Sequence, residues 1–380
     1  MNLIPPIAIT DTGSPPLFHD SSIRELSSAE TNGVTALTIA DSSCVEGNGT
    51  YDLIFTGGAV HVATGTYTIL ANVITAVVLT YGGEYYSSAP TVATQTADGS
   101  ITATWADGNY RGAWAVGTTY SLNAIVSVVA NHKLYKSLHA LNIGYTPGGA
   151  GNDLWWDADY SATDRWKVFD DRVGSQAQAA QPGDTITWEL DPGPIDSVAI
   201  LNLEAESVTV TMTDVGGPDE LTPIIWTETT IDDGLFVSDI VKTDFPSTYS
   251  TPHLLIKIVY AAGTAKVGEI VVGLKESLGT LQYTPSVSII DYSVKEVDNF
   301  GNYIIAERAY SKRLSCETII ENTILDATYA TLATYRATAV VWVGSADYAS
   351  MIVYGFYKDF SITIPYPKYS VCTLEIEGLV

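Results

Sequence analysis

Catalysis in this chain would have to come from five histidines, three cysteines, many serines and 43 carboxylates. His19, His61, His132, His139 and His253 sit in separate segments. His132 and His139 are seven apart on segments that read as strands, so they are expected to face different environments, and neither HExxH nor a cysteine–histidine pairing occurs. No GxSxG elbow presents a serine, and no GxxxxGK[ST] loop waits for a phosphate. Carboxylate pairs are so frequent that any glycosidase dyad would be picked by composition alone. The turn Ile231–Gly234 (IDDG) offers two adjacent acids, fewer than the roughly six to eight oxygens calcium takes, and reads as a solvated turn. Cys44, Cys316 and Cys372 are far apart and odd in number, so buried free thiols are expected rather than disulfides or a metal site. The expectation is a protein without catalytic residues, metal or cofactor.

What does concentrate is aromatic surface. Four of the eight tryptophans (Trp114, Trp155, Trp156 and Trp166) fall between Arg111 and Asp170, with Tyr120, Tyr135, Tyr145 and Tyr160 among them. Upstream the chain is small-residue, alternating sequence; beyond Phe169 it turns into longer strands. The aromatic stretch therefore reads as a module of its own, in which rings can fill a core that has few aliphatic residues.

The elements around it read as β structure. At 380 residues two to four domains are expected, and 46% hydrophobic residues give each a core. An N-terminal arm, residues 1–26, holds one strand candidate (LIPPIAIT) suited to pairing with another domain or subunit. Residues 27–110 alternate as VTALTIA, GTYTILANVITAVVLT and SITATW, broken by glycine turns, which predicts a small β domain. Residues 111–170 form the aromatic module. Residues 171–279 give strand candidates DTITWEL, SVAILNL, SVTVTMTD, LTPIIWTET, HLLIKIVY and KVGEIVVG with turns between them, a pattern that predicts a β-sandwich of jelly-roll type. Residues 280–380 add strands and the one good helix, around NTILDATYATLATYRA. There Asn322 or Thr323 is the expected cap, and Leu325, Tyr329, Leu332 and Arg336 the expected face, so a β-rich α+β unit closes the chain. The fold class expected is mainly β and multidomain.

Charge narrows the partners. The formal net charge of −25 repels phosphate backbones and anionic membranes, so neither nucleic acid nor a lipid surface is expected. The start MNLIPPIAIT lacks a basic region, so no signal peptide is expected. The longest apolar runs, ANVITAVVL and ATAVVWV, are about half of what a membrane span needs.

Several segments resemble known families. The skeleton Ala113-Trp114-x5-Tyr120, strand IVSVV, KLYKS around Tyr135, Pro147 and Trp155 resembles the small chitin-binding modules of bacterial chitinases, three-stranded β folds of about fifty residues. That resemblance implies glycan contact through flat rings, with Trp114, Tyr120, Tyr135, Trp155 and Trp156 as the candidates. The family's exposed tryptophan pair is replaced here by SLHALN (Ser137 to Asn142), which leaves Trp155-Trp156 to substitute for it; the rings can equally be core. The segment TYGGEYYSSAPTVAT (Thr80 to Thr94), read as a β-arc in which Pro90 starts an edge strand, resembles an element of phage tail and fibre proteins. The block Asp164, Arg165, Trp166, Phe169, Asp170 that closes the module resembles one in tailed-phage virion proteins, with Arg165 stacked on tryptophan or paired to Asp170. The end of the 171–279 region, VGEIVVGLKESLG, resembles the last strand of galactose-binding-like domains. The ending FYKDFSITIPYPKYSVCTLEIEGL resembles the C-terminal strands of tail-tip and distal-tail proteins. On it Phe360, Tyr366 and Tyr369 are candidate interface anchors and equally candidate core.

Together these resemblances imply a structural virion protein of a tailed phage, made in the host cytoplasm and assembled into the tail tip or distal tail. Its partners would be other copies of itself, other tail proteins and host-surface polysaccharide, with a role in host attachment. The alternative is a secreted or surface carbohydrate-binding protein, or an accessory module of a polysaccharide-degrading enzyme.

Overall fold

The computed structural model describes residues 1–7, 9, 33–57, 62–81, 90–96, 99–106, 110–162, 164–179, 181–215, 223–232, 235–297 and 303–380. The protein is mainly β, 52% strand and 7% helix, with several separate sheets. Two compact units divide the chain: Arg24–Thr163, and Met1–Ile23 together with Asp164–Val380.

In the unit Arg24–Thr163, alternation produces two sheets over one core. One runs in the order Gly33–Asp41, Ser100–Ala106, Thr91–Ala93, Ile54–Thr56; the other in the order Gly49–Asp52, Thr64–Leu70, Val73–Tyr81. Strand Thr64–Leu70 buries every second residue, which sends Tyr67 and Ile69 inward to meet Val34, Phe55, Ile74 and Ile101. A two-residue turn joins it to Val73–Tyr81, with Ala71 and Asn72 both at positive φ (53° and 60°). Such a turn matches the right-handed twist of the strands, and Asn48 Oδ1 accepts the Ala71 N–H at 2.8 Å. Of the β-arc Thr80 to Thr94, residues 82–89 lie outside the described residues. Pro90 is buried and precedes strand Thr91–Ala93, which runs between Ser100–Ala106 and Ile54–Thr56 and so is an interior strand, not the edge strand expected. Pro90 itself is outside the ladder, so its missing donor costs no hydrogen bond.

The aromatic module has four strands rather than three, in the order Trp156–Ala162, Lys133–Ser137, Ile125–Val128, Tyr110–Ala113. The added strand is the entering chain, which pairs in parallel with Ile125–Val128 and continues into a Trp114 N–H to Ser127 carbonyl bond of 2.9 Å.

In the other unit, a four-stranded sheet (Ile186–Leu190, Pro252–Val259, Ser207–Asp214, Ile224–Thr229) and a three-stranded sheet (Ile240–Lys242, Ser197–Leu201, Glu269–Gly273) contribute to a common core. SVTVTMTD alternates and buries one face; SVAIL, with an apolar run from Val198 to Leu201, is buried on both. The inner face of the three-stranded sheet meets Trp188, Val210 and Ile256, while Ala199, Leu201 and Val271 pack on Val341, Val343, Ile352 and Tyr354. Strand Ile240–Lys242 has no counterpart among the six strands read from sequence, being only three residues long.

The largest sheet follows the order Glu276–Ser277, Asn2–Ile4, Val340–Val343, Ile352–Thr363, Tyr369–Gly378, Tyr310–Glu321, Thr280–Leu281, and Ser286–Asp291 also pairs with Tyr310–Glu321. The N-terminal strand is thus threaded into a sheet made otherwise of C-terminal sequence. It stops at Pro5, as a residue without a donor must end a central strand, although Ile7 N–H still reaches the Val272 carbonyl at 2.9 Å.

The helix is Leu325–Thr334, preceded by a 3-10 turn Asn322–Ile324. Its first residue is not capped by Asn322 or Thr323. Asn322 instead donates to the Tyr366 carbonyl (3.1 Å) and accepts from Ser370 (2.5 Å), which ties the turn to the neighbouring hairpin. The buried face is Thr328 and Leu332, flanked by Tyr335; of the expected face Leu332 is buried and Leu325 half-buried, while Tyr329 and Arg336 are exposed because Thr328 and Tyr335 take their places on the packed stripe.

All three cysteines are buried and free. Burial pushes the Cys316 and Cys372 thiols up to about 11. Because thiolate is the reacting form, iodoacetamide at neutral pH is expected to label none of the three in the native protein and all three in denaturant, as read by mass spectrometry.

Candidate functional site

The module's geometry is set by its buried rings. Tyr120, Tyr135 and Trp156 are 4%, 2% and 1% exposed and form its core with Ala124 and Val126. Each polar ring atom that burial would strand has a partner. The Tyr120 hydroxyl accepts the Ala115 N–H at 2.8 Å, Asn131 Nδ2 donates to the Tyr135 hydroxyl at 2.6 Å, and Trp156 Nε1 donates to the Tyr145 carbonyl at 2.8 Å. Tyr120 meets Trp156 edge to face at 5.4 Å. Buried Asn142 closes the loop: its Nδ2 bonds Ser137 Oγ (3.0 Å) and the Trp155 carbonyl (3.1 Å). Gly148, at φ +70°, lies where a Cβ would meet the Tyr135 hydroxyl at 2.7 Å, so the backbone approach there needs glycine.

Trp155 ends the turn that starts at Asn152 and Trp156 opens strand Trp156–Ala162, and packing sends the two rings to different places. Trp156 enters the core. Trp155 is half-buried and lies flat on Tyr145, with ring centroids 3.8 Å apart and planes 11° from parallel, while His139 sits 4.6 Å from it. Exposed Leu138, Leu141 and Leu154 flank these positions in sequence. Three of the five candidate glycan residues, Tyr120, Tyr135 and Trp156, are therefore corrected to core: a module this small has too few aliphatic side chains, and rings take their place. Trp114 is half-buried and packs on the same core. Trp155 keeps accessible ring surface, and Tyr145 and His139 join it. Neither was a candidate from sequence, although Tyr145 lies two residues before the buried Pro147 whose turn presents it.

The interface candidates separate in the same way. Phe360 is partly buried on the core of the large sheet, edge to face with Tyr357 at 5.3 Å. Tyr366 and Tyr369 are exposed at the tip of the hairpin formed by Ile352–Thr363 and Tyr369–Gly378.

Among the histidines, His132 occupies a turn with φ 56° and His139 a bend, not strands, since Asn131-His132 closes the hairpin into Lys133–Ser137. His253 pairs with Asp191 at 2.8 Å. His19 and His61 lie outside the described residues, as do Asp233 and Gly234 of the acidic turn. Among the described residues no group of three histidine, cysteine or acidic side chains is placed to hold a metal ion. In the block closing the module, Trp166 packs edge to face on Phe169 at 6.0 Å, and the Arg165 carbonyl accepts Trp188 Nε1 at 3.3 Å. Comparison of the chain with protein-family models, with curated proteins and with solved structures finds no match.

Proposed function

We propose that the chain is a structural, non-enzymatic protein of a phage tail, of the tail-tip or distal-tail type, that works by association with other copies and with neighbouring tail proteins. On this reading residues 171–279 are a sandwich of galactose-binding-like type and residues 280–380 an assembly domain. The carrying observation is apolar and aromatic surface left outside closed cores: Ile289, Tyr310, Tyr329, Ile364, Tyr366 and Tyr369 all stay exposed on or beside the large sheet. Such side chains are the usual anchors of protein interfaces. The resemblances of the Thr80 to Thr94 segment, the Asp164 to Asp170 block and the C-terminal strands to tail proteins point the same way, and the acidic surface keeps a β-rich protein soluble at high local density.

The Trp155–Tyr145–His139 stack supports a second role within this reading, contact with host-surface glycan, and by itself would suit a free-standing carbohydrate-binding protein. Negative-stain electron microscopy of the purified chain tests the proposal. Closed rings or symmetric oligomers are expected; single particles of monomer size that bind oligosaccharide on a glycan array would favour the free-standing sugar binder.

A further inference from the structure

Glu269 is the first residue of strand Glu269–Gly273 and is 2% exposed. Its carboxyl group takes the backbone N–H groups of Asp171 and Arg172, yet its Oε2 has no hydrogen-bond partner. The groups facing it are mostly acidic. Asp170 and Asp171 stand in the turn above it, and the Tyr354 hydroxyl, from strand Ile352–Thr363, donates to Asp171 Oδ1. The cations of the same segment are Lys167 and Arg172, which act on Asp170, and Arg165, on the 3-10 helix Asp164–Phe169 that packs against the strand. The turn lies tight on the strand: a Cβ on Gly268 would meet the Val173 carbonyl at 2.2 Å. Asp171 holds a left-handed backbone (φ 59°), a conformation that persists only where its surroundings fix it.

We propose that Glu269 is a proton-operated latch for the Asp170–Arg172 turn, holding the turn against strand Glu269–Gly273 when neutral and releasing it when ionised. The two backbone N–H bonds favour a negative charge on Glu269, but burial, the bare oxygen and two carboxyl neighbours outweigh them. Burial, reinforced by Asp170 and Asp171, pushes it up to about 10, and burial pushes Asp170 up to about 6. Both acids are raised on folding. Their stabilisation is therefore complete below the ordinary carboxylate range, and it is lost through about 6 for Asp170 and towards about 10 for Glu269 as pH rises. The segment under control is the one through which the chain passes from the unit ending at Thr163 into the unit resuming at Asp164. Release on the alkaline side would loosen that tether while the sheets stay folded.

Hydrogen exchange by mass spectrometry on the full chain tests this. Peptides covering 164–179 are followed from pH 6 to pH 9, corrected for intrinsic exchange, in wild type, Glu269→Gln and Asp170→Asn. Wild-type protection of this segment is expected to fall with rising pH, at most about tenfold per pH unit for one proton. The Glu269→Gln chain is expected to keep its protection across the range, and Asp170→Asn, which removes one of the charges that oppose Glu269 ionisation, to complete its loss at lower pH than wild type. A Glu269→Gln variant that retains the wild-type pH slope would overturn the latch. So would one that is unprotected or unfolded at every pH, since the neutral isostere is the form said to hold the turn.

Discussion

Trp156→Ala is expected to unfold the aromatic module, while Trp155→Ala, one residue away, leaves it folded. Trp156 is fully enclosed, edge to face with Tyr120 and hydrogen-bonded to the Tyr145 carbonyl. Removing a buried tryptophan costs about 3–5 kcal/mol in lost burial and residual cavity. Domain stabilities run from about 5 to 15 kcal/mol, so a four-stranded module with a five-residue core has little to spare. Trp155 is half-buried and loses mainly its stack on Tyr145, about 0.5–1.5 kcal/mol. Near-ultraviolet circular dichroism and thermal melting distinguish the two variants. A Trp156→Ala chain with the wild-type aromatic signal would contradict the assignment of core and surface. If glycan contact is made at this stack, Trp155→Ala abolishes it while the melting profile is nearly kept.

The second large effect is at Leu3. This side chain is wholly buried, and its backbone pairs with Glu276 on one side and Trp342 on the other. Leu3→Ala is expected to cost about 2–5 kcal/mol, a fall in melting temperature of roughly 4–20 °C for a unit of this size. Calorimetry should show that loss in the transition of the unit containing the large sheet, with the Arg24–Thr163 transition unmoved. A Leu3→Ala chain that melts like wild type would mean that the strand adds nothing to the sheet.

Much of the fold was legible where burial follows a local period. SVTVTMTD alternates in sequence and in burial from Ser207 to Asp214, and SVAIL, apolar from Val198 to Leu201, is buried on both faces. Local pattern marked a strand candidate at the N-terminus, but it could not reveal that Asn2–Ile4 pairs with strands some 270 and 340 residues away. Nor could it fix the phase of the helix, whose buried stripe is set by what packs on it: Thr328 and Leu332 face inward and Tyr329 does not. In the aromatic module the ring types were legible and their directions were not. Trp155 and Trp156 are neighbours in sequence, and only the packing of Tyr120 and Tyr145 says which one is inside. Glu269 was the least legible of all. An acid opening an apolar strand reads as exposed, and its burial comes from a turn and a tyrosine distant in sequence.

Mass photometry of the wild-type chain beside a Tyr366→Ser, Tyr369→Ser double variant tests assembly through the exposed aromatic surface of the large sheet. Both tyrosines are exposed at one hairpin tip, and neither belongs to a core cluster, so the variant should fold as wild type does. One closed oligomer is expected for wild type and a shift to monomer for the variant. A wild-type chain that stays monomeric at every concentration, or an oligomer indifferent to both substitutions, would contradict it.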